Sequence, residues 1–194
     1  MDKLDEIRKF GVIEGYPIIK DESTERFIEI LKSVNPNRIL EIGTAIGYSG
    51  SLMLLNSNAS LDTIEMNQES ARIARNNFEK LGLGDRVKVL VGDANEVIDT
   101  LIGEKYDFIF LDGPKGQYIK YLNRLIELLN IQGVLLADNV LFRGYIEGDN
   151  VPKKYRTLVN NLRKFNDAIM SDDRLISDIL HIGDGLSVSK KIKE

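Results

Sequence analysis

Tyr106-Asp-Phe-Ile-Phe-Leu-Asp112 and Val134-Leu-Leu-Ala-Asp138-Asn139 are two apolar runs that each stop at an aspartate. Strands buried on both faces of a parallel sheet read in sequence as short, continuous apolar runs. Ligands of open α/β sheets collect just outside the carboxyl ends of such strands. The two runs therefore predict that Asp112, Asp138 and Asn139 converge as three oxygen donors suited to a hard divalent cation. Lys115, one short turn past the first aspartate, adds a movable proton carrier.

Working outward, apolar runs alternate with helical patterns through most of the chain, the signature of βαβ units around a parallel sheet. Strands are expected at Arg38–Ile42, Leu61–Glu65, Val87–Val91, Asp107–Leu111 and Gly133–Ala137. Helices are expected at Asp5 to Val12, from Asp21 or Ser23 to Val34, at Gly47–Leu55, Asn67–Leu81 and Tyr118–Leu129, and at Lys154–Ile169. In the second helix Phe27, Ile30, Leu31 and Val34 share one face, and in the last Tyr155, Leu158, Val159, Leu162, Phe165 and Ile169 do. Ile176–Ile182 and Leu186–Ile192 flank Gly183-Asp184-Gly185, a hairpin signal that makes the final strand antiparallel. The expectation is an α/β fold: a seven-stranded, mostly parallel sheet with one antiparallel strand and helices on both faces. Residues 1–194 are expected to form one domain, with helices in residues 1–36 ahead of the first strand.

The bulk properties narrow the function. The chain has 194 residues, 43% hydrophobic and 29% charged, ordinary for a globular protein with a real core. No apolar stretch approaches the roughly 20 residues that span a bilayer, and Met1-Asp-Lys-Leu-Asp-Glu6 is too charged to begin a secretory signal. With no cysteine, disulfides and thiolate metal sites are excluded, and a cytoplasmic setting is expected. The single histidine, His181, rules out a multi-histidine zinc site, and its place between Leu180 and Ile182 reads as structural. A net charge of −4 argues against a protein that coats nucleic acid. The stretch from Val151 to Asn166 nevertheless holds Lys153, Lys154, Arg156, Arg163 and Lys164 with no acidic residue; it is either a solvated helix face or a patch that meets phosphates.

Ile39-Leu-Glu-Ile-Gly43-Thr-Ala-Ile-Gly47-Tyr-Ser49 reads as a strand, a glycine turn and a helix start, which lets a ligand approach backbone amides. The spacing Gly43-x-Ala45-x-Gly47 fits neither the dinucleotide fingerprint nor the Walker pattern. Glu41, at the strand end, would repel a pyrophosphate but suits the α-ammonium of an amino acid. Glu65 ends the second strand, where a carboxylate accepts ribose hydroxyls. Gly92-Asp93-Ala94 ends the third, placed to border an adenine. Amino-acid end, ribose and adenine together describe S-adenosylmethionine.

These residues resemble the class I S-adenosylmethionine-dependent methyltransferases, and specifically the divalent-cation-dependent O-methyltransferases related to catechol and caffeoyl-coenzyme A methyltransferases. The resemblance runs from Pro17 to Lys190. Within that family it is strongest to the branch that methylates 5-hydroxyuridine in bacterial tRNA, through Ile39–Ser49, Lys115-Gly-Gln-Tyr118, Asp138-Asn-Val-Leu-Phe142 and Gly183-Asp-Gly-Leu186. It implies a Rossmann-like fold, with cofactor contacts at Ile19, Glu41, Gly43, Ser49, Glu65, Asp93, Ala94 and Asp112. It also implies Mg²⁺ ligation by Asp112, Asp138 and Asn139, a catalytic role for Lys115, and a homodimer. The chain departs from the family in two places. Only 37 residues precede the first strand, and Gly113-Pro114 stands between Asp112 and Lys115.

Two acceptors are compatible with these residues. One is the 5-hydroxyl of a wobble uridine in the anticodon loop of tRNA, with Tyr118, Tyr145 or Phe142 as stacking platforms and the Lys153–Lys164 stretch on phosphates. The other is a small catechol-like phenol. A non-catalytic binder of S-adenosylmethionine would leave the metal and lysine positions unexplained.

Overall fold

A computed structural model describes residues 3–19 and 21–194; Met1, Asp2 and Lys20 lie outside the described residues. Two helices, α1 (Lys3–Glu14) and α2 (Asp21–Val34), precede strand β1 (Arg38–Ile42). There follow α3 (Tyr48–Leu55), β2 (Ser60–Glu65), α4 (Gln68–Lys80), β3 (Val87–Val91), the single turn α5 (Ala94–Val97), and β4 (Tyr106–Leu111). The chain ends with α6 (Tyr118–Leu128), β5 (Leu129–Asp138), α7 (Arg156–Ser171), β6 (Leu175–Leu180) and β7 (Leu186–Lys191). The seven strands form one sheet in the order β3-β2-β1-β4-β5-β7-β6. Pairings from β3 through β5 are parallel, and β7 runs antiparallel to both β5 and β6. The expected architecture is the observed one.

Period-2 alternation sorts the central strands between two cores. Ile39, Phe108, Phe110 and Leu136 face one side, where they meet Phe27, Leu31, Met53 and Phe78 from α2, α3 and α4. Leu40, Ile109, Leu111 and Leu135 face the other, against Leu122 and Leu125 of α6 and Leu162 and Phe165 of α7. Phe27 and Phe110 meet edge to face at 4.8 Å, a geometry that adds to their burial.

Local chemistry ends the helices where the sequence says it should. Asn35 takes a left-handed conformation (φ 49°) after α2, and Asn67 caps α4 by accepting from the Ser70 amide at 2.9 Å. β5 is the exception. It begins four residues before the expected Gly133, because Leu129 pairs with Tyr106 ahead of a register shift. Gln132 is left-handed (φ 72°) at that irregularity. A bulge of this kind interrupts the apolar run, so the extension carries no periodic signal.

The switch in strand order lies between β1 and β4, which pair side by side although α3, β2, α4, β3 and α5 separate them in the chain. Their carboxyl ends open the crevice that such sheets use for ligands.

Candidate active site

That crevice holds a cavity of about 830 Å³. Gly43, Thr44, Ala45 and Ser49 follow β1; Glu65 ends β2; Asp93 and Ala94 follow β3; Asp112 and Lys115 follow β4; and Ile19 closes the near wall. Seven of the eight positions implied for the cofactor therefore line one space. Gly43 is required there by close approach: a Cβ at its φ of +102° would fall 2.5 Å from the Asp112 carbonyl oxygen. Glu65 presents its carboxylate in a fixed pose, Oε2 accepting from the Ala45 amide and Oε1 from the Asn67 amide, each at 2.8 Å. Both oxygens keep a lone pair for ribose hydroxyls. Asp93 caps α5 through the Asn95 amide at 2.8 Å.

Glu41 does not line the cavity. It is fully buried in β1, where Ser49 Oγ donates to Oε1 and Thr63 Oγ1 donates to Oε2. Burial pushes its carboxyl up to about 7, against the two hydroxyl donors that favour the charged form. The carboxylate thus reaches the cavity through Ser49, whose hydroxyl it orients. Nothing in a single sequence separates an acid facing a ligand from one facing its own neighbours.

On the far side, Lys115 Nζ donates to Asp112 Oδ1 at 2.7 Å. Burial raises the Asp112 carboxyl and the lysine charge opposes it. Asp138 is 4% exposed and pushed up to about 7, first by burial and then by the negative charge of Asp112. Its Oδ1 accepts from the Asn139 amide at 2.8 Å, and Asn139 is left-handed (φ 59°). No group of three acidic or histidine ligands occurs among the described residues; Asn139, next in the chain to Asp138, carries the amide oxygen that the sequence offers as a third donor. A buried carboxylate (Asp138) and a partly buried one (Asp112) thus face one lysine, an excess of negative charge on hard oxygen donors. That donor set fits a divalent cation of the magnesium type.

Tyr118 was expected as a stacking platform, and the structure corrects this. It is fully buried, packed edge to face on Phe165 at 5.4 Å, and its hydroxyl reaches the carbonyl oxygens of Leu111 and Asp138 at 3.1 and 3.2 Å. Arg163 is likewise withdrawn from the basic stretch, since it donates to the carbonyls of Tyr145, Ile146 and Gly148. Phe142 and Tyr145 do lie at the surface, partly buried. His181 is exposed, its Nε2 at 2.8 Å from Glu147 Oε1 and away from the cavity. Gln117, Lys120 and Tyr121 also line the cavity. Their only sequence mark was helical spacing, Lys120 and Tyr121 following Gln117 by three and four residues into α6.

With this geometry in place, comparison with known proteins is direct. An O-methyltransferase family model matches residues 2–192, and the chain belongs to that family, a class I S-adenosylmethionine-dependent O-methyltransferase. Caffeoyl-CoA O-methyltransferase 1 of Arabidopsis thaliana is 29% identical over 203 residues, covering 98% of this chain and 78% of that protein. Caffeoyl-CoA O-methyltransferase 5 of Nicotiana tabacum is 30% identical over 173 residues, covering 84% and 72%. The SAH-bound crystal structure of the Podospora anserina methyltransferase PaMTH1 superposes with a TM-score of 0.87 at 28% identity, over 100% of this chain and 89% of that one. The Bacillus cereus O-methyltransferase in complex with SAH gives 0.86 at 25%, over 98% and 91%.

Proposed function

We propose that the chain uses a divalent cation, Mg²⁺, to methylate the 5-hydroxyl of wobble 5-hydroxyuridine in tRNA, giving 5-methoxyuridine. One observation carries the cation-assisted chemistry: Asp112 and Lys115, ion-paired in the cavity lining, lie close enough to Asp138 for the two carboxylates to repel, with more carboxylate than lysine charge. In the reaction an oxygen–carbon bond forms as the sulfonium sulfur–carbon bond breaks, and the hydroxyl proton leaves. A cation held by Asp112, Asp138 and Asn139 would supply Lewis acidity that favours the deprotonated acceptor. Lys115, already in an ion pair at the site, holds the developing oxyanion by charge or receives its proton. Ser49, oriented by Glu41, and Glu65, fixed by two amides, hold the amino-acid and ribose ends so that the methyl carbon lies in line for attack.

Support for the uridine acceptor comes from the resemblance in the motifs around Lys115, Asp138 and Gly183, and from the exposed Lys153, Lys154 and Lys164 on the neighbouring surface. The acidic 5-hydroxyl lies beside the O4 carbonyl, so it can chelate a cation as a catechol does. A small catechol-like phenol is the second reading, favoured by the 30% identity to an enzyme named for caffeoyl-CoA. Incubation with S-adenosylmethionine, Mg²⁺ and tRNA carrying 5-hydroxyuridine, followed by nucleoside mass analysis, decides between them. The expected product is 5-methoxyuridine, abolished by chelator. Its absence alongside brisk catechol turnover would establish the second reading. The resemblance also implies a homodimer in the cytoplasm. Phe10, Val12 and Ile13 leave apolar surface exposed on α1, and sedimentation of the purified chain tests the dimer.

A further inference from the structure

Next to the aspartate-bearing end of β5 is a surface cluster that takes no part in the methyl-transfer step itself. Phe142, Tyr145 and Tyr155 bring three rings together, with centroids 6.2 Å (Phe142–Tyr145), 5.4 Å (Phe142–Tyr155) and 5.9 Å (Tyr145–Tyr155) apart. All three are only partly buried. Two cations dress them. The Arg143 guanidinium lies 5.9 Å from the Phe142 centroid and 5.8 Å from that of Tyr155, and Lys154 Nζ lies 4.7 Å from Tyr155. Among the described residues neither Arg143 nor Lys154 forms a salt bridge with a carboxylate, and Lys153 and Arg156 are exposed alongside.

The cluster reaches the site from two directions. The Phe142 amide donates to the Asn139 carbonyl at 3.2 Å. From α7, which begins just after Tyr155, Asn161 Nδ2 donates to the Gly116 carbonyl at 2.9 Å, one residue past Lys115. The rings are therefore tied to the two chain segments that carry Lys115 and Asp138.

The loop that carries them is held rigidly and at a cost. Asn139, Phe142 and Arg143 all occupy the left-handed region, at φ 59°, 38° and 57°. Such strain persists only where the surroundings over-determine it, and it gathers at ligand sites. Here the turn between β6 and β7 does the holding. Asp184 accepts from the Leu141 amide through its carbonyl and from the Arg143 amide through its carboxylate, both at 2.9 Å. Arg163 clamps the other half through three carbonyls. A plain connection between β5 and α7 needs none of this. Rings fixed in advance at a wet surface, beside cations held by the Tyr155 side chain rather than by a carboxylate, match a ligand that presents a flat π-face next to an anion.

We infer that the Phe142–Tyr145–Tyr155 lip stacks a base of single-stranded RNA flanking the acceptor nucleotide, with Arg143, Lys153 and Lys154 on its phosphates. The inference deepens the tRNA reading and rests on it for the identity of the strand. A small phenol would have no phosphate to meet these cations.

The test is fluorescence anisotropy with a labelled heptanucleotide of unmodified RNA, which has no reactive hydroxyl. Tyr155→Ala is expected to weaken binding about 10- to 100-fold, Tyr155→Phe to retain it, and both to keep their thermal midpoints. Arg143→Ala with Lys154→Ala should flatten the logarithmic salt dependence by about 1.4. Equal RNA affinity of Tyr155→Ala and the wild type would overturn the lip, as would displacement of the RNA from it by free coenzyme A at equimolar concentration. The two failures are separable. Methylation of 5-hydroxyuridine tRNA with an unchanged KM in Tyr155→Ala removes the lip and leaves the acceptor assignment standing. Tyr155-dependent RNA binding without methyl transfer removes the acceptor assignment and leaves the lip standing.

Discussion

Glu41 has no exposed surface, and both of its oxygens are taken by hydroxyls of its own fold. Its role is to aim Ser49, and its cost is an ionisable group in a dry place. The folded-state value of about 7 lies above the ordinary 4.5, so the native state holds the proton more tightly than the unfolded chain does. Its stabilising contribution is complete below pH 4.5 and is lost as pH rises towards 7, by roughly 3 kcal/mol in all. Asp138, also raised to about 7, contributes a slope of the same sign in this window, so Glu41→Gln should reduce the slope without removing it, which urea titrations between pH 4.5 and 7.5 would reveal; an undiminished slope would place the titrating group elsewhere. In the proposed reaction Lys115 and Asp138 act on the chemistry itself. Lys115→Ala should lower kcat by about 100-fold or more while cofactor affinity, read by calorimetry, stays within a few-fold. Asp138→Ala should remove the rise in thermal midpoint that Mg²⁺ confers on the wild type. A variant that still gains stability from Mg²⁺ would move the cation away from β5.

Elements enter where those residues must keep their spacing. The first residue of α6, Tyr118, has a hydroxyl that spans the Leu111 and Asp138 carbonyls, one on each of the strand ends that carry the aspartates. One proton shared between two acceptors is a modest bond, so Tyr118→Phe should cost about 1 kcal/mol in denaturant titrations. It should also weaken Mn²⁺ binding measured by electron paramagnetic resonance, without altering S-adenosylmethionine affinity. Unchanged Mn²⁺ affinity would reduce Tyr118 to core packing. The turn at Gly183-Asp184-Gly185 was legible as a hairpin, and it is one. Its second task, holding the loop after Asn139 through Asp184, was not legible, because the bond partners lie about 40 residues apart with no local pattern to announce them. The same holds for Arg163. In sequence it belongs to a basic stretch, while in space its guanidinium satisfies three loop carbonyls.

At the scale of the whole molecule, stability comes from a sheet buried on both faces. Phe110 is fully buried at its centre, against Phe27. Phe110→Ala should cost about 3–5 kcal/mol, visible as a large drop in denaturation midpoint; a smaller loss would mean that α2 collapses onto the cavity. Strand number, strand direction and the order of site residues along the chain were all readable from the amino acids alone. Buried parallel strands need unbroken apolar runs, glycine turns mark close approach, and polar residues end each run: all are local constraints. Which way a side chain points once the strands are assembled is a different matter. Glu41 turns from the cavity towards Ser49 and Thr63, Tyr118 turns inward beneath the aspartates, and Tyr155 turns outward beside Arg143. Each outcome is set by neighbours far away in sequence, because burial and hydrogen-bond satisfaction are settled only by what the fold places next to a group.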